Sequence, residues 1–457
     1  MTSERIVQEA PIPGSFRIIP RAEHAISRKS ISAGALRVLY RLHEAGHRAC
    51  LVGGAVRDLL LGGHPKDFDI ATDATPEQVR ALFRNCRLIG RRFRLAHVVF
   101  GREIVEVATF RGSSDDGSGD RHLVDGRLVR DNVYGTIEED AVRRDFTVNA
   151  LYYDISDFSV LDSVGGMEDL QHRVLRLIGD PEQRYREDPV RMLRAARLAA
   201  KLGFTIEPAT AAPFAALGSL LAEAPPARLF DESLKLFLSG HGLASFRSLE
   251  QHGLLEHVFP ATARVLAQGD AAAFRRLVEQ TLANTDARVR EDKPVTPAFL
   301  FAALLWEPVR RAAHAAIEGG ADAGAAWSHA TERVLREQAQ RVAVPRRFTI
   351  AVEEIWAMQP RFAQRTKKRA FRLLEHPRFR AAYDFLVLRA DESPELAELA
   401  RWWTEAQQLD HNQLAERLAA APPPASSSEA PAATKRKRPR RRRRKKAGVA
   451  SVVDAGD

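Results

Sequence analysis

The sequence predicts an α+β protein. A mixed sheet-and-helix domain comes first, an all-helical region follows, and a disordered basic tail ends the chain. Three observations carry this. Residues 35 to 110 alternate short helical and strand-like runs, as in "RACLVGGAVRDLLLGGHPKDFDIAT". From "EDPVRMLRAARLAAKLG" to about Leu418 the chain is rich in Ala, Leu and Arg with few strand signals. "KRKRPRRRRRKK", residues 435–446, holds eleven basic residues and one proline, and no such run can bury itself.

The chain has 457 residues, more than one ordinary core accommodates, so two or three domains are expected. The expected boundaries are an irregular extension over 1–30, a mixed domain over 31–175 and a helical segment over 176–260. A helical body over 261–418 and a linker with basic tail over 419–457 complete the chain. Apolar residues make up 45%, enough for globular cores. Only Cys50 and Cys86 occur, which excludes a disulfide framework or a cysteine-rich zinc site and fits a reducing, cytoplasmic setting. No run approaches the ~20 apolar residues of a membrane span, and no signal peptide is expected. The formal charge is +10. Without the tail's eleven positive charges the remainder is near −1, so the tail is the cationic part. Its natural partner is a polyanion, with Lys435, Arg436, Arg440, Arg444 and Lys445 as candidate RNA contacts. A solubility tail or a localisation signal is the alternative.

The elements follow in order. "AGALRVLYRLHEAGH" places Leu36, Leu39, Tyr40 and Leu42 at helical spacing. "RACLV" is a strand ending at Gly53-Gly54, and "AVRDLLLGG" is a helix stopped by glycines. "DFDIAT" is a strand. "TPEQVRALFRNC" is a helix, with Thr75 as N-cap, Pro76 at its first position and Gln78 completing a capping box. "RLAHVVF" and "EIVEVATF" form a hairpin around Gly101-Arg102. "RGSSDDGSGDRHLVDGR" reads as a mobile loop. "YREDPVRMLRAARLAAKLG" is a helix capped by Asp188, with Pro189 at its start and Gly203 at its end.

On a strand, residues two apart share a face. Asp67 and Asp69 then project together while Phe68 enters a core. Two carboxylates so placed repel unless a cation lies between them, and Mg²⁺ takes one or two carboxylates plus phosphate oxygens. Glu106 interrupts the apolar "IVEVA" and could complete a three-carboxylate cluster holding two metals; an edge-strand charge facing water is the alternative. Gly53 and Gly54 allow close approach of a phosphate at a strand-to-helix turn, followed by Arg57 and Asp58. A plain tight turn explains them equally. Neither a Walker-type loop nor GxGxxG after the first strand is present. Arg143, Arg144 and Asp145 in "RRDFTVNALYYD" suit either a triphosphate clamp or a salt-bridged helix end. Arg191, Arg194 and Arg197 recur every three residues, and a solvated basic helix face accounts for them as well.

Taken as an ordered set, "LVGGAVRDLLLGGHPKDFDIAT", "EVATFR", "RRDFTVNALYYD" and "REDPVRMLRAARLAAKLG" resemble the class II nucleotidyltransferases. That group contains bacterial poly(A) polymerases and CCA-adding enzymes. The resemblance spans roughly residues 18 to 260. "LIGRRFRLAHV", "IPRAEHAISRKSIS" and the arginine-rich tail point toward the poly(A) polymerases. The resemblance implies a palm-type catalytic domain over 31–175 and a nucleotide-reading neck over 176–260. It assigns Asp67 and Asp69 as metal-binding catalytic aspartates, with Asp145 or Glu106 as the third acid. Gly53, Gly54, Arg57 and Arg144 take triphosphate-contacting positions, and Asp188, Arg191, Arg194 and Arg197 the nucleotide-reading helix. It further implies ATP as substrate, Mg²⁺ (with Mn²⁺ as the alternative) as cofactor, RNA 3′ ends and RNA-decay proteins as partners, and a monomer. CCA addition to tRNA and a non-catalytic RNA-binding role are the competing readings.

Overall fold

The computed structural model describes residues 16–90, 94–112, 121–124, 127–131 and 133–420. The basic tail and most of the linker before it lie outside these residues, as do residues 1–15 and the Arg91-Arg92-Phe93 part of "LIGRRFRLAHV".

The first half is built on one eight-stranded sheet. In chain order its elements are β1 (Arg17–Ile19), α1 (Ala33–Glu44), β2 (Ala49–Val52), α2 (Gly54–Leu60), β3 (Asp69–Thr72), α3 (Pro76–Leu82), β4 (Cys86–Ile89), β5 (Leu95–Phe100) and β6 (Glu103–Thr109). After them come β7 (Arg121–Val124), β8 (Arg127–Asp131), α4 (Ile137–Arg143), β9 (Leu151–Asp154), β10 (Val160–Asp162), α5 (Gly166–His172), α6 (Pro181–Glu187) and α7 (Val190–Leu202). The strand order is β1-β10-β9-β2-β3-β6-β5-β4, and β7 and β8 pair separately. All pairs in the large sheet are antiparallel except β3 with β6, which is parallel.

Local chemistry explains the helices. Ser32 caps α1 by accepting from the Ala35 amide, and Ala35, Val38, Leu39 and Leu42 fall on one buried stripe. Each large apolar side chain so buried contributes roughly 1.5–3 kcal/mol. Thr75 and Gln78 form the expected reciprocal capping box on α3. Gly203 closes α7 in the left-handed conformation, at φ 66°.

Strand alternation sorts the sheet into two faces. Leu51, Ile70, Val105, Val107, Leu151 and Tyr153 point toward α1–α3 and join a core that continues without a break to Phe385. Cys50, Val52, Ala71, Tyr152 and Leu161 point the other way, against Phe110, Ile137 and Ala141. Asp69 shares its face with Ala71, and Glu106 is out of phase with Val105 and Val107. Both acids therefore sit on the second face, which α4 covers only in part.

Four expectations need correction. Residues 17–19 are not irregular: they form an edge strand, Arg17 opposite Asp162. The α3 helix stops at Leu82, and Cys86 already belongs to a strand paired with β5. Asp67 precedes β3 rather than lying on it, although Phe68 is buried as expected. Part of the expected loop is a hairpin, β7 with β8. The intervening Asp125-Gly126 dipeptide was its available signal.

Among the described residues beyond α7 the chain is helical apart from the short Thr205–Ile206 strand, which pairs with Val174–Leu175. Its longest helices are Ala272–Arg290, Pro297–Glu318 and Ala323–Arg341. Residues 358–418 gather a second core around Trp403 and Phe362. Among the described residues no helix is long and apolar enough to cross a membrane.

Candidate active site

The site begins where β2 runs into α2. Gly53 holds φ 74°, a conformation L side chains rarely adopt, and a Cβ there would stand 3.7 Å from Arg144 Nη1. The glycine turn and the Arg144 guanidinium are thus direct neighbours. Arg144 is fixed from behind: Nη2 donates to Asp140 Oδ2 at 2.9 Å and Nε to the Tyr152 hydroxyl at 2.8 Å. Tyr152 donates in turn to Asp140 Oδ2 at 2.6 Å. Burial works against the arginine's charge, but Tyr152 and Asp140 hold its pKa well above the ordinary value.

Beside this turn lies a row of register partners crossing the sheet. Tyr152 faces Val52, Val52 faces Asp69, Asp69 faces Glu106, Glu106 faces His97, and His97 faces Arg87. His97 Nε2 lies 3.1 Å from Glu106 Oε1. The Asp69 side chain opens to solvent, yet the protein mass around it limits its hydration. Its pKa is pushed up to about 6, first by burial, then by Glu106 and Asp67, with Arg144 opposing. Negative charge is therefore in excess on this face. Among the described residues no three His, Cys, Asp or Glu side chains are drawn together tightly enough to hold a metal ion unaided. As the side chains stand, Asp67, Asp69 and Glu106 do not by themselves close into the expected three-carboxylate site. A donor set of one or two carboxylates still fits Mg²⁺, which completes its octahedron with water and phosphate oxygens.

Asp145 is turned away from that row. Its Oδ2 accepts from Arg194 Nε at 2.9 Å, and its Oδ1 from the Phe146 amide and Asn149 Nδ2 at 2.9 and 3.1 Å. Burial alone would raise its pKa, but Arg194, Asn149 and the Phe146 amide hold it well below the carboxylate range. Arg57 is also committed elsewhere. It is 3% exposed, donates to Asp58 through Nε and Nη2, and donates to Asn149 Oδ1 through Nη1 at 2.6 Å. In this arrangement it braces the glycine turn from inside.

The three arginines of α7 do not form a solvated face. Arg191 donates to Glu187 and to the Arg184 carbonyl. Arg194 meets Asp145, and Arg197 meets Glu232 at 2.6 Å. Just before α7, Asp188 is held by both arms of Arg228, at 2.8 and 2.6 Å. Arg228 and Glu232 lie one turn apart on the Pro226–Phe237 helix, which therefore grips α7 twice. Arg197 faces that helix, not an open pocket. Sequence reasoning missed Asp140, Asn149, Tyr152, Arg228 and Glu232. Asn149 and Tyr152 lie inside a quoted motif, but their roles come from tertiary partners that spacing does not reveal. The candidate RNA contacts Lys435, Arg436, Arg440, Arg444 and Lys445 lie outside the described residues.

Comparison with known proteins defines the class first. Residues 49–176 match the family described as "Poly A polymerase head domain", which makes this chain a nucleotidyltransferase enzyme. Residues 203–266 match "Probable RNA and SrmB- binding site of polymerase A", and 319–446 match "Polymerase A arginine-rich C-terminus". Poly(A) polymerase I of Salmonella typhi is 53% identical over 411 residues, 88% of each chain. The chain belongs to the poly(A) polymerase family. The CCA-adding enzyme of Bacillus subtilis is 40% identical over 225 residues, 49% of this chain and 55% of that one. The solved structure of the Bacillus stearothermophilus CCA-adding enzyme in complex with CTP matches with a TM-score of 0.52 and 27% identity. The match covers 84% of this chain and 80% of that one.

Proposed function

We propose that this enzyme transfers AMP from ATP to RNA 3′ ends without a template. The observation that carries this is the excess of negative charge at Asp67, Asp69 and Glu106 beside the Gly53 turn and Arg144. Such a face suits a cation and a triphosphate together. The RNA 3′-oxygen forms a bond to the α-phosphorus, the bond from that phosphorus to the bridging oxygen breaks, and pyrophosphate leaves. The hydroxyl proton goes to solvent. Asp67 and Asp69 would hold Mg²⁺ or Mn²⁺; in the two-metal form Glu106 joins them. When bound, the metal supplies charge neutralisation at the transferred phosphate and makes the 3′-hydroxyl more acidic. Gly53 and Gly54 let the backbone approach the triphosphate, and Arg144, held by Asp140 and Tyr152, presents a fixed positive edge. Arg57 supports that turn.

Base selection falls to Asp188 and Arg191. Adenine offers an amino donor beside a ring-nitrogen acceptor, which a carboxylate and a guanidinium match. A carboxylate has about four lone-pair sites, so Asp188 can accept from adenine while Arg228 grips it. Guanine and uracil present the opposite order and leave both groups unpaired, which is heavily penalised. Cytosine shares adenine's order, so its rejection rests on pocket dimensions. Arg194 and Arg197 serve by holding the helix. The domain boundaries at about 175, 260 and 418, a monomeric cytoplasmic enzyme, and products handed to RNA-decay proteins complete the proposal.

CCA addition is the second reading. The 40% identity to a CCA-adding enzyme over half the chain favours it, but the poly(A) polymerase likeness runs through 88%. Giving labelled RNA each nucleotide separately tests both. ATP alone should lengthen a non-tRNA primer continuously. Extension that stops after one to three nucleotides and requires CTP on a tRNA end would establish the second reading instead.

A further inference from the structure

The structure holds a polar connection between the two ends of the nucleotide site that no motif announces. Asn149 lies in the single turn Thr147–Asn149, just before β9, and is 9% exposed. Its Oδ1 accepts from Arg57 Nη1 at 2.6 Å, and its Nδ2 donates to Asp145 Oδ1 at 3.1 Å. The amide orientation is forced by chemistry. A guanidinium can only donate, and an ionised carboxylate can only accept. No other side chain of this size offers both an acceptor and a donor at the two required positions.

The contacts continue on both sides. Arg57 reaches Asp58, and Asp145 reaches Arg194 on α7. Two turns further along α7, Lys201 Nζ lies 3.2 Å from Asp58 Oδ2. The circuit therefore closes: α2, Asn149, Asp145, α7 and back to α2. It ties the helix that follows the glycine turn to the helix that follows Asp188.

We infer that Asn149 is a positioning residue that sets the distance between the triphosphate turn and the base-reading helix. The inference rests on the reading of this chain as an ATP-using transferase. A nucleotide gripped at both ends presents its α-phosphorus correctly only if those two grips are in fixed relation. Without Asn149 each grip keeps its other partners, but the two lose their buried link and are held together only through the more exposed Lys201–Asp58 contact. An error near 1 Å costs on the order of a hundredfold in rate without abolishing binding.

The test is steady-state extension of a labelled RNA by the full chain with ATP, read per folded molecule, the folded fraction being taken from near-UV circular dichroism. Asn149→Ala should lower kcat about 10- to 100-fold while KM for ATP stays within roughly threefold. Asn149→Asp is isosteric and keeps the acceptor for Arg57, but it sets a second carboxylate against Asp145. It should lose at least about tenfold in kcat as well. In a cycle with Arg194→Lys, the double variant should fall well short of the product of the two single losses, because both act through one connection. A merely structural asparagine would lower Tm and leave kcat per folded molecule intact, and that result overturns the inference. So does full turnover in Asn149→Asp, or strictly multiplicative losses in the cycle. A parent chain that fails to extend RNA with ATP defeats the transferase reading, and this inference with it.

Discussion

Asp69 and Glu106 stand opposite each other on adjacent parallel strands, β3 and β6, and project from the same face of the sheet. Nothing else in that large sheet pairs in parallel. Crossing from β3 to β6 through α3 and the β4–β5 hairpin brings two acids, 37 positions apart in sequence, side by side. Their repulsion, with Asp67 nearby, makes this a face that a bound divalent cation would steady.

Burial of Asp69, with that repulsion added to it, gives a stability prediction. The folded state holds the Asp69 carboxyl up at about 6, above its ordinary value near 4. Folding therefore favours its protonated form. The associated destabilisation grows as pH rises from about 4 to about 6 and is fully present above that. Without added metal, Asp69→Asn should melt at a higher temperature than the parent at pH 7.5, and the advantage should fade toward pH 4. The same variant should lose about a hundredfold or more in nucleotide addition, since metal charge stabilisation is worth several kcal/mol. Thermal melts across pH check the first part. An Asp69→Asn variant less stable than the parent at pH 7.5 would count against the excess charge.

Asp145 and Glu106 should separate cleanly. Asp145 is a partly buried partner of Arg194, and leaving one side of such a charge-assisted pair without its partner costs about 1–3 kcal/mol. Asp145→Ala should show that loss in urea unfolding. Because its folded pKa is depressed, the Asp145 contribution is present above the ordinary carboxylate value and is lost as pH falls below it. The gap between parent and Asp145→Ala should therefore narrow in acid. Glu106→Gln should not destabilise the fold, since it relieves the same repulsion as Asp69→Asn, and should lower turnover instead. If Glu106→Gln keeps full activity, Glu106 is not the third acid.

How much of this was legible beforehand depends on how local each determinant is. Thr75, Pro76 and Gln78 announce α3 because a capping box is written within four residues. Gly101-Arg102 announces the β5–β6 hairpin for the same reason. The three residues of β1 could not be read, because their strand character comes from β10, some 140 positions away. Asp69 and Glu106 stood out as acids in apolar strands. Arg194 and Arg197 looked like a basic stripe because their acids, Asp145 and Glu232, lie on other elements. Spacing gives the face of a helix, but it does not say what that face meets.

The grip of Arg228 on Asp188 should matter for nucleotide choice. Both arms of the guanidinium reach the carboxylate, fixing where its remaining lone pairs point. Arg228→Ala should free Asp188 to rotate, raise KM for ATP, and reduce the preference for ATP over CTP by roughly tenfold, about 1.4 kcal/mol. Arg228→Lys keeps the charge but loses the fork, so it should recover binding more than discrimination. Competition between labelled ATP and CTP on one primer measures this. An unaltered preference in Arg228→Ala would remove Arg228 from base selection.

The basic run at 435–446 should hold RNA without reading its sequence. Its eleven positive charges exceed the net charge of everything before it. The preceding "AAAPPPASSSEAPAAT" is a composition that cannot build a core. A cationic segment meeting phosphates releases counterions. For single strands the slope of log affinity against log salt is then about −0.7 per phosphate neutralised. With roughly four to six contacts made at once, ending the chain at residue 433 should flatten that slope by about three to four units. The loss should be alike for unrelated RNA sequences, because lysine and arginine here would meet backbone, not base edges. Turnover at saturating RNA should survive, since every candidate catalytic residue precedes Gly203. Binding measured from low to high salt, for the full chain and for the chain ending at residue 433, decides the matter. An unchanged slope would assign the tail to a protein partner or to solubility instead.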